Sequence, residues 1–149
     1  MALVYNQFKK FEANGTIDLL TDTLKVVLVG STYTANADHT YFNSAAYLQE
    51  LGGTGYAGGY GGAGRKTLSS KVVVQDDTND RAEFSAAPVT WTAINAGTAA
   101  AAIIIRERAG TGDTMSELIA YIDSGGFPIV TNGGDLTLTW NVEGILQLS

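Results

Sequence analysis

The stretch that decides the fold spans residues 71–91 and reads Lys71-Val72-Val73-Val74-Gln75-Asp76-Asp77-Thr78-Asn79-Asp80-Arg81-Ala82-Glu83-Phe84, followed after three small residues by Pro88-Val89-Thr90-Trp91. β-branched and aromatic side chains on both sides of a polar segment are typical of paired strands, and the Asp- and Asn-rich centre favours a turn. The stretch therefore predicts a β-hairpin or a strand corner. The side chains of this stretch form no pattern that is typical of catalysis.

Similar apolar runs, with turn signals between them, recur on both sides of this hairpin. Residues 24–29 are almost wholly apolar, which predicts a strand covered on both faces. Further strands are predicted at residues 66–75, 81–92, 103–108, 118–123, 127–130, 135–140 and 144–148, and Ile17 and Leu19 suggest a first strand or a lead-in. Seven or eight strands at this spacing predict one all-β domain over residues 1–149, an antiparallel β-sandwich or jelly-roll-like barrel with one or two short helices.

Composition limits the classes of function. Only 16% of the 149 residues are charged, the net charge is −6, and the nine basic residues are scattered, which argues against a nucleic-acid partner. There is no cysteine, so disulfides, thiolate metal sites and cysteine nucleophiles are excluded. No apolar run approaches the length of a membrane span or of a signal-peptide core, so we expect synthesis in a cytoplasm and no membrane partner.

Two segments have helical spacing. Val4, Phe8 and Phe11 fall on one face, and Asn14-Gly15 supplies a stop, which predicts a helix over residues 4–14. The alternative is that residues 1–15 form an extended arm whose aromatic side chains lie on a neighbouring molecule. Residues 41–51 predict a second short helix between a polar loop at residues 31–40 and Gly52.

Residues 52–64 form a glycine-rich loop that carries two tyrosines, Tyr56 and Tyr60, and we call it the Gly-Tyr loop. Such a composition predicts flexibility, while tyrosine is a good anchor at protein interfaces. The segment is therefore either a disordered surface insertion or a contact for another protein. The candidate partner contacts are the two tyrosines, the arginine that follows the loop and the two aromatic residues of the first helix: Tyr56, Tyr60, Arg65, Phe8 and Phe11.

Two glycine motifs resemble phosphate-binding sequences only superficially. Residues 53–58 satisfy the spacing G-x-G-x-x-G, but they follow a predicted helix and lead to a strand, the reverse of the order that a dinucleotide site requires. In Gly64-Arg65-Lys66-Thr67 an arginine separates the glycine from the lysine, so a phosphate loop is not indicated. No cofactor is expected.

The remaining polar candidates also favour structural interpretations. Asp76 and Asp80 have part of the spacing of a calcium loop, but the sixth position is Arg81, which leaves only a weak cation site as an alternative to a solvated turn. His39 is the single histidine and has no cysteine to share a metal with, so we predict a surface loop residue. Glu107 and Asp123 form a conceivable acid pair, although outward positions on strands are expected. We expect no catalytic, metal-binding or cofactor-binding residues.

The aromatic residues of the predicted strands could belong to a ligand site or to the core. Their side chains could stack against sugars or bases, but aromatic residues at strand spacing more often belong to the core. The residues concerned are Phe84, Trp91, Tyr121 and Trp140.

Several longer sequence segments together resemble a widespread family of small structural proteins encoded among the virion genes of tailed bacteriophages and prophages. In chain order they are Ala13-Asn14-Gly15-Thr16-Ile17-Asp18-Leu19, Thr21-Asp22-Thr23-Leu24-Lys25-Val26, Gly55-Tyr56-Ala57-Gly58-Gly59, Asp76-Asp77-Thr78-Asn79-Asp80-Arg81-Ala82-Glu83-Phe84, Val89-Thr90-Trp91-Thr92, Leu118-Ile119-Ala120-Tyr121-Ile122-Asp123 and Trp140-Asn141-Val142-Glu143-Gly144-Ile145-Leu146. They span nearly the whole chain, and this chain departs from the family in its longer Gly-Tyr loop.

The resemblance implies a non-enzymatic virion component, a head decoration or cement protein on the capsid surface that binds the major capsid protein and forms a dimer or trimer. A tail or adaptor component is the main alternative within the family. An alternative of another class is a host-surface or carbohydrate-binding module displayed on the virion. The family supplies no catalytic residues to transfer to this chain.

Overall fold

The computed structural model describes residues 2–42 and 49–149, and its central element is a five-stranded antiparallel sheet. Nearly continuous apolar sequence forms the three longest strands, which occupy the middle. In spatial order the strands are β1 (Leu3–Val4), β9 (Glu117–Ile122), β8 (Ala101–Arg106), β2 (Leu24–Val29) and β3 (Lys66–Thr67). The pairing of β2 with β8 runs the full length of both strands, from Leu24 opposite Arg106 to Val29 opposite Ala101.

Three smaller antiparallel ladders complete the strand set. One has three strands in the order β12 (Leu146–Leu148), β5 (Arg81–Ser85) and β4 (Val72–Asp76). The other two pair β6 (Val89–Trp91) with β11 (Leu136–Leu138) and β7 (Thr98–Ala99) with β10 (Ile129–Val130). The described residues also contain one α-helix, α1 (Asn6–Ala13), and a 3-10 turn at Asp113–Met115.

The main sheet is covered on both faces. Val26 and Leu28 pack in one cluster with Phe84 and Trp91 from the smaller ladders. The alternate residues Val27 and Val29 belong to a second cluster on the opposite face, which also contains Tyr5, Tyr33 and Phe42. Because side chains alternate along a strand, an almost wholly apolar β2 requires apolar cover on both sides. The all-β, sandwich-like prediction and the doubly covered strand are confirmed.

Several boundaries differ from the sequence-based expectation. Residues 66–75 form two strands instead of one, because the chain breaks near Ser70, whose φ of +49° is not compatible with an extended strand. The break sends β3 to the main sheet and β4 to β5. Ile17 and Leu19 are buried in a turn region and are a lead-in, not a strand. The strands number twelve among the described residues, because several pair over only two positions.

The N-terminal helix is confirmed. It starts after Tyr5 and ends at Asn14, and the positive φ of Gly15 allows the backbone N–H of Thr16 to reach the carbonyl of Phe11. Strand β1 pairs with β9 of the same chain, so the N-terminal residues pack on their own sheet. Most of the second predicted helix, at residues 41–51, lies outside the described residues.

Candidate functional site

The most unusual site in the described chain is a buried group of charged side chains around Arg65. Arg65 follows the Gly-Tyr loop directly, and its side chain has no exposed surface. Its guanidinium donates five hydrogen bonds, to Glu50 (3.0 and 2.7 Å), Asp113 (2.7 and 2.9 Å) and Glu107 (3.0 Å). Since an arginine side chain has five N–H donors, its capacity is fully used.

A lysine adds a second positive charge to this group. The ammonium nitrogen of Lys25, on β2, lies 2.5 Å from a carboxylate oxygen of Glu107. Two cations thus face three carboxylates, and the set has one net negative charge. We call Lys25, Glu50, Arg65, Glu107 and Asp113 the Arg65 cluster. Its members are widely separated in sequence, so the cluster ties five chain segments together.

The Gly-Tyr loop wraps around this cluster. The hydroxyl of Tyr56 donates to Glu50 (3.1 Å) and accepts a hydrogen bond from the buried backbone N–H of Leu28 (2.9 Å). The backbone N–H of Gly59 donates to the other oxygen of Glu50 (3.0 Å). The Tyr56 ring stacks on Trp91, with ring centroids 6.4 Å apart. The loop is therefore packed through specific contacts, although its composition predicts flexibility.

Close packing requires glycine at several places in this loop, as Gly62 and Gly64 illustrate. A Cβ on Gly64 would lie 2.7 Å from the Tyr56 ring, and one on Gly62 would lie 2.3 Å from the carbonyl oxygen of Ala57. Both distances are shorter than real side chains tolerate. The indole N–H of Trp91 also donates to the Gly64 carbonyl at 2.6 Å. These glycines therefore allow the loop backbone to lie directly against Tyr56 and Trp91.

The surroundings of Arg65 and Tyr56 stabilise the protonated form of both groups. Burial opposes the charged form of Arg65, but the hydrogen bonds that it donates to the carboxylates of Glu50 and Asp113 outweigh this effect and raise the pKa of the guanidinium above its ordinary range. Burial, assisted by the negative charge of Glu50, raises the pKa of the Tyr56 hydroxyl far above its ordinary value. Both groups keep their protons at any physiological pH. With every donor engaged, Arg65 cross-links chain segments and has no donor left for a ligand.

A second charged group lies nearby on β8 and β9. Glu117 is buried and forms an ion pair with Arg108 (3.0 Å between Nη2 and Oε1), while Arg106 pairs with Asp22 at 3.2 Å. Burial raises the pKa of the Glu117 carboxyl. Its second oxygen has no hydrogen-bond partner among the described residues.

Three of the five candidate partner contacts are buried inside the chain. Phe8 and Tyr56 have 0% and 1% exposed surface, and Arg65 has 3%. Their side chains form the core and the Arg65 cluster, so they are not available to a partner in this conformation. Tyr60 is 38% exposed, and its hydroxyl donates to the Arg108 carbonyl. Phe11 is half-buried and packs against the core.

The other candidate residues have structural surroundings. Asp76 accepts hydrogen bonds from the backbone N–H groups of Thr78 and Asn79 and pairs with Arg81, as expected for a turn. In residues 2–42 and 49–149 no three His, Cys, Asp or Glu side chains are arranged so that they could hold a metal ion. The ring of His39 lies 3.3 Å from the Tyr33 hydroxyl, so the predicted surface histidine is partly enclosed.

Glu107 is buried, and the prediction that it lies on an outward strand face is wrong. It accepts from Lys25 and Arg65 in the interior, whereas Asp123 is exposed. The core interpretation is confirmed for Phe84 and Trp91, which have no exposed surface. Tyr121 and Trp140 are partly buried at the edge of the core.

Sequence reasoning missed the Arg65 cluster. Its carboxylates are isolated in sequence, and only the fold brings Glu50, Glu107 and Asp113 to one guanidinium. No local sequence feature separates Arg65 from an exposed arginine, because charged residues are mostly exposed and its three carboxylate partners lie elsewhere in the chain.

The apolar residues of β4 are exposed. Val72, Val73 and Val74 have 48%, 43% and 54% exposed surface. In the described part of the chain β4 pairs only with β5, so it forms the edge of its ladder. Val73 lies opposite the buried Phe84 in register, yet stays open to solvent beside a shallow depression lined by Gln75, Ala82 and Leu148 among others. We call this surface the β4 edge.

Comparison of the chain with protein-family models, with curated proteins and with solved structures found no match. No helix in the described ranges has the length and apolar character needed to cross a membrane.

Proposed function

We propose that this protein is a structural component of a tailed-bacteriophage virion, a capsid decoration or cement protein that binds the major capsid protein lattice. The proposal rests on the sequence segments that resemble a family of small virion proteins. These segments are spread over nearly the whole chain. On this proposal the protein acts in many copies on the capsid surface, after synthesis in the host cytoplasm, and self-associates as a small symmetric oligomer.

The geometry of the Arg65 cluster supports a structural role. The fully engaged guanidinium of Arg65 joins the Gly-Tyr loop to Glu50, to the end of β8 through Glu107 and to the 3-10 turn through Asp113. Such internal ties resist local unfolding of the loops, which is useful to a protein that must keep its shape on a pressurised shell. Many copies, each with a modest interface, add to a large total stabilisation.

The β4 edge supplies surface of the kind that an assembly protein needs. Exposed apolar side chains on an unpaired strand favour contact with another polypeptide. The carbohydrate-binding alternative has less support, because Tyr56, one of the two tyrosines that it relied on, is buried in the core. The tail or adaptor alternative differs from the cement proposal in copy number and in position on the particle.

The test is the copy number and position of the protein in intact particles. Heads and tails of the phage that encodes it are separated, and the protein is quantified on gels against the major capsid and tail proteins. We expect a copy number comparable to that of the major capsid protein, on heads only, and heads that lose heat resistance when the gene is deleted. A few copies confined to tails would refute the cement proposal and support the adaptor.

A further inference from the structure

We infer that the β4 edge is a self-association surface, on which β4 of a second copy pairs antiparallel about a two-fold axis at Val74. The inference concerns the isolated chain in solution, so it does not depend on a role in virions. It specifies one surface, one strand register and one occupant, a second copy of this chain.

Strand β4 lacks the devices that usually protect an edge strand. Natural edges are shielded by charges, prolines, bulges or very short length. Strand β4 is one of the longer strands of the described chain, its pairing with β5 is regular throughout, and its first four residues are uncharged and contain no proline. Three consecutive exposed valines on such an edge are suited to strand addition.

The two ends of β4 carry opposite charges. Lys71 and Asp77 flank β4 and lie three residues to either side of Val74. When two β4 strands pair antiparallel with Val74 opposite itself, Lys71 of each copy lies opposite Asp77 of the other. The two-fold axis therefore creates two opposite-charge pairs, while Val73 faces Gln75. Like charges are not opposed at any of these positions.

Lys71 and Asp77 can both contact a second copy without loss of the contacts that hold the chain together. Asp77 is exposed, and its carboxylate touches only the Gln75 side chain in the described contacts. The Lys71 ammonium donates to the Asp22 carbonyl at 2.5 Å, which uses one of its three donors. The turn that closes the hairpin is held separately by Asp76.

The test uses charge reversal at both ends of the strand. The variants Lys71→Asp and Asp77→Lys each place like charges opposite one another twice in the homodimer. We expect each to raise the dissociation constant of the dimer about tenfold or more, measured by sedimentation over a concentration series at low salt. Lys9→Asp, a charge reversal at an exposed lysine on α1, is the matched control and should leave the dimer unchanged.

Mixing the two variants separates this register from any other mode of association. The Lys71→Asp chain has a carboxylate at both ends of the strand, and the Asp77→Lys chain has an ammonium group at both ends. One copy of each therefore restores two opposite-charge pairs in the same register, and we expect the mixture to recover association as heterodimers. Failure of the mixture to associate, or a wild-type chain that is monomeric at every concentration, would overturn the inference.

A cysteine scan gives an independent readout because the chain has no cysteine of its own. Val74→Cys places the new thiol on the proposed axis, next to its symmetry mate, so mild oxidation should cross-link two chains rapidly. Val142→Cys is the control, since Val142 is 96% exposed at a different site. Equal cross-linking of both variants would overturn the register. A trimer by sedimentation, with no cross-link at position 74, would overturn the inference and assign association to another surface.

Discussion

The buried position of Arg65 predicts a large and specific loss of stability when its charge is removed. In Arg65→Met three carboxylates remain, with Lys25 as the only cation of the cluster, so the net charge there changes from −1 to −2. The side chain of Arg65 has no exposed surface, so solvent does not screen the loss. Removing one partner of a buried ion pair costs about 3–5 kcal/mol. We expect about 3 kcal/mol, because Asp113 is 19% exposed and can be partly rehydrated.

Arg81 provides a matched control. It also pairs with three carboxylates, Asp76, Glu83 and Glu143, but it lies at the surface of the β4–β5 hairpin. Arg81→Met therefore removes the same chemical group and a similar number of partners where water can replace them. Surface ion pairs contribute little to stability. We expect Arg81→Met to cost only a small fraction of what Arg65→Met costs.

The assay is urea unfolding followed by tryptophan fluorescence, since Trp91 packs against the Gly-Tyr loop. Because small domains are stable by only about 5–15 kcal/mol, Arg65→Lys is included as a milder variant that keeps the charge. An ammonium has three donors in place of five and cannot form the two bidentate pairs, so we expect about 1–3 kcal/mol. The reasoning is wrong if Arg65→Met and Arg81→Met lose the same free energy of unfolding.

Three further predictions concern the surroundings of this cluster. Tyr56→Phe leaves a buried backbone N–H without an acceptor and should lower the free energy of unfolding by about 1–3 kcal/mol, while Tyr60→Phe, at an exposed position, should have little effect in the same urea titration. Gly64→Ala places a Cβ against the Tyr56 ring and should lower the melting temperature by several degrees. Gly52→Ala is the control, because nothing lies within 4 Å of its new Cβ, and it should leave the melting temperature unchanged. Equal melting temperatures for the two variants would contradict the packing argument. Burial lowers the pKa of His39 from its ordinary value of 6.5, so its protonation favours the unfolded chain and stability should fall as the pH decreases through 6.5 towards the folded-state pKa. The variant His39→Gln should lose less stability than the wild type between about pH 7.5 and about pH 5.5, as measured by the midpoint of urea unfolding. An equal loss in both proteins would show that His39 does not contribute.

The sequence pattern was a good guide wherever the determinant was local. Three consecutive valines, a polar turn and Phe84 predict the β4–β5 hairpin, which forms with Asp76 opposite Arg81. The spacing of Phe8 and Phe11 predicts α1, and the stop at Gly15 is used as expected. These features depend on neighbouring residues and on backbone preferences that act at short range.

The pattern failed where a residue's environment is set by distant parts of the chain. Glycine composition predicts a flexible loop at residues 52–64, but it does not indicate that Tyr56 turns inward to meet the Leu28 backbone and Trp91. In the same way, Glu107 at the end of an apolar strand has no sequence feature that distinguishes a buried carboxylate from an exposed one. Burial is a property of the assembled layers.

The all-β class, the N-terminal helix and the hairpin can be predicted from the amino-acid sequence, because hydrophobic periodicity and turn chemistry act over a few residues. Which charges are buried and which apolar residues are exposed depends on the packing of distant segments. The guanidinium of Arg65 is stable inside the protein because segments distant in sequence deliver three carboxylates to it. The valines of β4 stay in solvent because no described strand lies beyond that edge.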